Sequence, residues 1–162
     1  MEPGEDHEQG PPTKEEDVMK KIGTYTLKGS VLESDAATVP KRISLFDGRF
    51  DTGYRITKFE IASKGNKTED VSGVLATVED LTPIEDWNFG DQRELAYGVW
   101  NFWDYNGFFT QSFIDPDNLV VEDLYLYATN AYRVNYIITL DKYDISDWQG
   151  ALALVRNNAQ SV

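Results

Sequence analysis

From Gly23 onward the apolar residues recur at every second position, in short runs broken by turn residues. That period is the strongest constraint on the fold, because it puts all the apolar side chains of a run on one face of an extended strand. Tyr25, Leu27, Gly29 and Val31 alternate with polar residues. Ile43 and Leu45 do the same ahead of an Asp47-Gly48 turn. Tyr54 and Ile56 open a run whose phase slips by one residue to Phe59 and Ile61. Such a slip predicts a β-bulge. Val74, Ala76 and Val78 alternate after a polar loop at 64–70. Glu94–Trp103 reads as a strand with large apolar residues on both faces. Leu119–Tyr127 and Tyr132–Leu140, with Val134, Tyr136, Ile138 and Leu140 in phase, predict a hairpin around Thr129-Asn130-Ala131.

The two ends depart from this pattern. Residues 1–17 hold seven acids, one base and three prolines, with no large aliphatic beyond Met1. Too little apolar surface is present there to offset the ordering entropy, so a flexible acidic arm is expected ahead of a folded body at 18–162. At the other end Ser146 and Gln149 form a capping box. Trp148, Leu152, Val155 and Ala159 then share one helical face, which predicts a helix over 147–158 with Trp148 in the core. The expected fold is mostly β: an antiparallel β-sandwich, jelly-roll or immunoglobulin-like, with one C-terminal α-helix.

Charge and composition narrow the function. The net charge of −13 would repel nucleic-acid phosphate and anionic membranes, so neither is an expected partner. No apolar run approaches the ~18 residues needed to span a bilayer as a helix. The acidic N-terminus is unlike a signal peptide, so synthesis in the cytoplasm is expected and the sequon Asn66-Lys67-Thr68 is read as chance. The chain lacks cysteine, and its single histidine, His7, lies in the arm. A Ser-His or Cys-His mechanism in the body therefore has no residues to run on, nor has a His-rich zinc or iron site. Neither a Walker-type nor a dinucleotide-binding glycine motif occurs, and no cofactor is expected.

Carboxylates and aromatic rings remain. Glu85, Asp86, Asp91, Glu94 and Asp104 flank the aromatic strand and could in principle pair as a glycosidase would require. In a chain with 28 acids such proximity arises by chance, and a solvated acidic loop is the plainer reading. Asp115, Asp117 and Asn118 have hard oxygens at calcium-like spacing, but Asp-Pro-Asp-Asn is also a turn former, so these are weak metal candidates only. The rings between Trp87 and Phe113 are the most unusual feature. A strand with rings on both faces packs its second face against a helix, a loop or another chain, and aromatics dominate protein interface cores.

Three segments carry a resemblance to a known family. They are Asn88-Phe89-Gly90-Asp91-Gln92-Arg93, Ser112–Val121, and Asn135–Leu140 followed by the expected terminal helix. Over residues 54–162 the chain resembles small virion structural proteins of marine tailed bacteriophages such as cyanophages, capsid-decoration or knob-like proteins. The stretch S-F-I-D-P-D-x-L-V-V is the most specific part, and the first 53 residues lie outside the likeness. The resemblance implies a non-enzymatic particle-surface protein that binds the major capsid protein or neighbouring virion proteins, and possible self-association. Trp100, Trp103, Tyr105, Phe108 and Phe109 are the expected contact residues, with the acidic arm as a second tether. The alternative is a receptor- or glycan-binding module of a tail or fibre, in which the same rings would form a sugar platform.

Overall fold

The computed structural model describes residues 20–31, 40–63, 70–82, 87–103, 107–128 and 133–145. The arm, the 64–69 loop, the 129–132 connection and the proposed helix at 147–158 all lie outside these residues. The described chain forms eight strands: β1 (Lys20–Val31), β2 (Lys41–Ser44), β3 (Thr52–Ser63), β4 (Asp70–Thr77), β5 (Glu94–Trp103), β6 (Gly107–Ile114), β7 (Asp123–Ala128) and β8 (Val134–Asp144). They make two antiparallel sheets. One has three strands in the order β1-β8-β3, the other five in the order β2-β7-β4-β5-β6.

The two sheets share one core, in a sandwich-like arrangement. Strand β8 shows why. Val134, Tyr136, Ile138 and Leu140 point inward and are buried, while Asn135 and Ile137 between them are exposed. Across the core they meet Val74, Ala76, Ala96, Leu124 and Leu126 of the five-stranded sheet. Strand β3 buries Tyr54, Ile56, Phe59 and Ile61, although these do not share one parity. The expected bulge resolves this: the pairing with β8 runs Ile56↔Leu140 and then Lys58↔Thr139, so Thr57 is the extra residue. Without it, Lys58 and Glu60 would turn into the core in place of Phe59 and Ile61. Across from β3, Gly98 of β5 marks a close approach of the sheets. A Cβ there would lie 3.1 Å from the Phe59 ring and 3.2 Å from Ile61.

One expectation is overturned. Residues 119–127 and 132–140 do not form a hairpin. Strand β7 pairs with β2 and β4, whereas β8 pairs with β1 and β3, so the connection crosses from one sheet to the other. The apolar faces of the two strands look at each other across the core, which a flat hairpin would prevent. Residues 119–122 are not strand either; Val120 makes only an isolated bridge to Tyr54.

Three connections gather at one end of the sheets. Leu45 N–H donates to Glu122 C=O at 2.8 Å, Ile145 N–H to Asp51 C=O at 2.7 Å, and Asp115 N–H to Leu95 C=O at 2.9 Å. The Asp47-Gly48 turn is present there, with Gly48 at a φ of 88°, a left-handed conformation that glycine adopts without steric cost. The Asp47 carboxylate fixes it by accepting from the Thr52 hydroxyl, the Arg49 N–H and the Lys142 ammonium.

Candidate binding site

The 87–93 segment is a tight loop held by its own side chains. Asn88 Oδ1 accepts from Gly90 N–H at 2.9 Å, and Asn88 C=O accepts from Asp91 N–H at 2.9 Å. The Asp91 carboxylate accepts from the Arg93 backbone N–H and guanidinium, at 3.0 Å and 2.7 Å for the closest bonds. These bonds hold Asp91 below the ordinary carboxylate range. Glu94 Oε2 closes the loop by accepting from Asn88 N–H at 2.8 Å. Phe89 stands at the apex and is 67% exposed.

Strand pairing supplies the rest of the site. Tyr97 and Phe113 are register partners on the outer face of the five-stranded sheet, with ring centroids 6.0 Å apart and planes 10° from parallel. Phe89 lies 6.2 Å from Tyr97 and 5.6 Å from Phe113, and Trp87 packs against Tyr97 with its plane tilted by 55°. The second face of β5 is thus met by the 87–89 loop. Beside these rings opens a pocket of about 450 Å³, lined by Phe89, Tyr97, Phe113, Leu75 and Leu95, with Gln92, Glu94, Asp115 and Asp117. A further bulge lies here: Ala76 pairs with Ala96 but Thr77 with Glu94, so Leu95 is the extra residue. Burial raises the Glu94 carboxyl above its ordinary value, against the opposing effect of the Asn88 N–H. Burial pushes the Tyr97 hydroxyl up to about 12, so it stays protonated at neutral pH.

The turn after β6 is a latch. Asp115 Oδ1 accepts from Asp117 N–H at 2.9 Å. Asn118, 1% exposed, uses its side-chain amide to bond both backbone groups of Ile56: Oδ1 accepts from Ile56 N–H at 2.7 Å, and Nδ2 donates to Ile56 C=O at 3.0 Å and to Asp115 C=O at 2.6 Å. The oxygen of Asn118 that calcium would need is therefore given to Ile56. Among the described residues no group of three or more His, Cys, Asp or Glu side chains is placed to hold a metal ion.

Of the five expected contact residues, only Trp100 and Phe109 have described side chains. Trp100 is half-buried and packs against the core. Phe109 is 55% exposed on the outer face of β6. Trp103 and Phe108 have their backbones in β5 and β6, with side chains outside the description, and Tyr105 lies outside the described residues. Phe46 and Phe50, absent from the expected contact set, are both exposed, with ring centroids 4.9 Å apart beside the Asp47-Gly48 turn. Apolar rings flanking an Asp-Gly turn were the available signal. Two of the three segments behind the resemblance meet at the pocket: Phe89 and Gln92 come from the first, and Phe113, Asp115 and Asp117 from the second. Comparison with protein-family models, with curated proteins and with solved structures returns no match.

Proposed function

We propose that this protein is a non-catalytic structural component of a phage particle, displayed on the capsid surface and bound to the major capsid protein. The observation that carries this reading is the outer face of β6, where Phe109 and Phe113 stand exposed on a strand that forms one edge of its sheet. Exposed rings beside a strand edge that no other described strand pairs with mark an interface with another chain, because a protein that remained alone would blunt such an edge with charge or cover it. The order of the strands also supports the reading. β1 pairs with β8, β2 with β7 and β4 with β5, the nested pattern of a jelly roll, with β6 bonded to β5 instead of β3. Jelly rolls serve as capsid and lectin domains, an argument by analogy that adds weight to the likeness read from the sequence. The acidic surface keeps decorated particles apart, and repeated copies on a capsid sum weak contacts through multivalency.

The test is co-sedimentation of purified protein with capsids lacking it. Wild type is expected to saturate the capsids. Phe109→Asp, a substitution at an exposed position that should leave the circular dichroism unchanged, is expected to lower occupancy by about tenfold or more. Wild type that fails to bind, or full occupancy by folded Phe109→Asp, would overturn the proposal.

A further inference from the structure

The pocket between the 87–93 loop and the end of β6 has the make-up of a ligand site, and of its lining the capsid-docking reading uses only Phe113. Its volume of about 450 Å³ falls in the range of small-ligand pockets. Its wall is aromatic and held in place. Phe89 and Phe113 expose 67% and 41% of their surface, yet Phe89 is set by a loop stapled through Asn88, Asp91 and Glu94. Rings fixed in advance lose little freedom when a ligand arrives.

We propose that this pocket binds a neutral pyranose unit of a glycan, with its C–H face on the Phe89, Tyr97 and Phe113 rings and its hydroxyls toward Gln92, Glu94 and Asp117. Other ligand classes fit the lining less well. A purely apolar ligand would strip water from the carboxylates and the amide without replacing it. An anionic sugar, sialylated or sulfated, would meet Glu94, Asp115 and Asp117 with no basic side chain among the described lining residues. A cation would satisfy the carboxylates but could not accept from the Gln92 amide. Hydroxyls both donate and accept, so a polyol with an apolar face matches rings, amide and acids together. The Leu95 bulge and the short Asp115–Asp117 turn bring these groups to the same end of the sheet.

Phe109 lies four residues along β6 from Phe113, roughly 13 Å away in an extended strand, so sugar binding and capsid docking are separable. The experiment titrates the full-length protein with methyl pyranosides of glucose, galactose, mannose and N-acetylglucosamine and with their short oligomers. Tryptophan fluorescence reports binding, since Trp87 sits on Tyr97, and two-dimensional NMR maps it. At least one neutral sugar is expected to bind in the millimolar range and to shift the 88–97 and 113–117 amides. Phe89→Ala and Gln92→Ala should weaken binding about tenfold with the fold intact, Phe89→Tyr should restore it, and Phe109→Asp should leave it unchanged. The proposal fails if no sugar in the panel binds, or if binding survives both pocket variants. It also fails if methylguanidinium or methylammonium displaces the effect while sugars have none, which would make the site a cation receptor. None of these failures would alter the capsid result.

Discussion

Asn118 does at one position what a neighbouring strand does along its length. Its amide presents an acceptor to Ile56 N–H and a donor to Ile56 C=O, so the edge of β3 is closed by a side chain just after the backbone bridge at Tyr54 and Val120. Replacing it with alanine leaves both groups of Ile56 buried and unpaired. Stranded buried groups cost about 1–3 kcal/mol each, so Asn118→Ala should lower stability by about 2–6 kcal/mol in urea unfolding. Asn118→Asp should do worse, because it keeps the acceptor but sets a carboxylate against the carbonyl oxygens of Ile56 and Asp115. A loss below about 0.5 kcal/mol for the alanine variant, the scale of an ordinary surface substitution, would show that water replaces the amide and that the latch has no structural role. Nothing in Asp-Pro-Asp-Asn announces this. The same four residues make an ordinary turn, and only the distant Ile56 gives the last of them a second task.

At the scale of elements, the contact between Gly98 of β5 and Phe59 of β3 sets how closely the sheets approach. Phe59 is 1% exposed and cannot swing into solvent. Gly98→Val should therefore overpack the core and cost about 1–3 kcal/mol, and Phe59→Leu in the same chain should return part of that loss. Two single variants and the double, compared by urea midpoint, test this, and strictly additive losses would separate the two residues. The Phe59 strand was itself legible, since a phase slip between Ile56 and Phe59 has one common cause, an extra residue in the strand. The bounds of β5 were legible too, because its run of rings ends where turn residues begin. Strand partners were not. Alternation says which face of β7 and β8 is apolar but not whether those faces lie side by side or opposite, and the turn residues between them suit either case. The pocket was equally hidden. Its rings come from positions 89, 97 and 113, which read as three unrelated aromatics until strand register sets Tyr97 beside Phe113 and the loop folds Phe89 back over both.

For the whole molecule, the titrating groups predict a stability that falls at both ends of the pH scale, for different reasons. Asp47 is held low by the Lys142 ammonium, Asp80 by the Thr82 hydroxyl and backbone N–H, and Asp91 by Arg93. A depressed carboxyl contributes stability that is present above its unfolded value of 3.8 and is lost as pH falls through the folded one. Glu94, raised by burial, acts in the opposite sense: its contribution is present below 4.5 and fades as pH rises through its folded value. With Asp51 held low by Arg49, four aspartates against one glutamate leave acid destabilising below about pH 4. On the alkaline side Tyr97, Tyr125 and Tyr127 are all raised by burial, Tyr97 to about 12. The unfolded chain ionises these phenols from about 10, while the folded chain resists, so stability present below that pH is lost as it climbs toward 12. Lys142, raised by Asp47, adds to this limb with the same sign. Between the two limbs the net charge of −13 penalises the compact state, and the penalty shrinks as pH falls toward the isoelectric point near 4.4. The urea midpoint should therefore peak in mildly acidic solution and not at neutrality. Tyr97→Phe removes one late-titrating phenol, so it should leave the acid limb untouched and make the loss between pH 10 and 12 shallower, with one fewer late step in the tyrosinate absorbance. An unchanged alkaline limb in that variant would mean that Tyr97 ionises as freely in the folded protein as in the unfolded chain. The aromatic wall of the pocket would then be open to water, contrary to the burial that gives the pocket its chemistry.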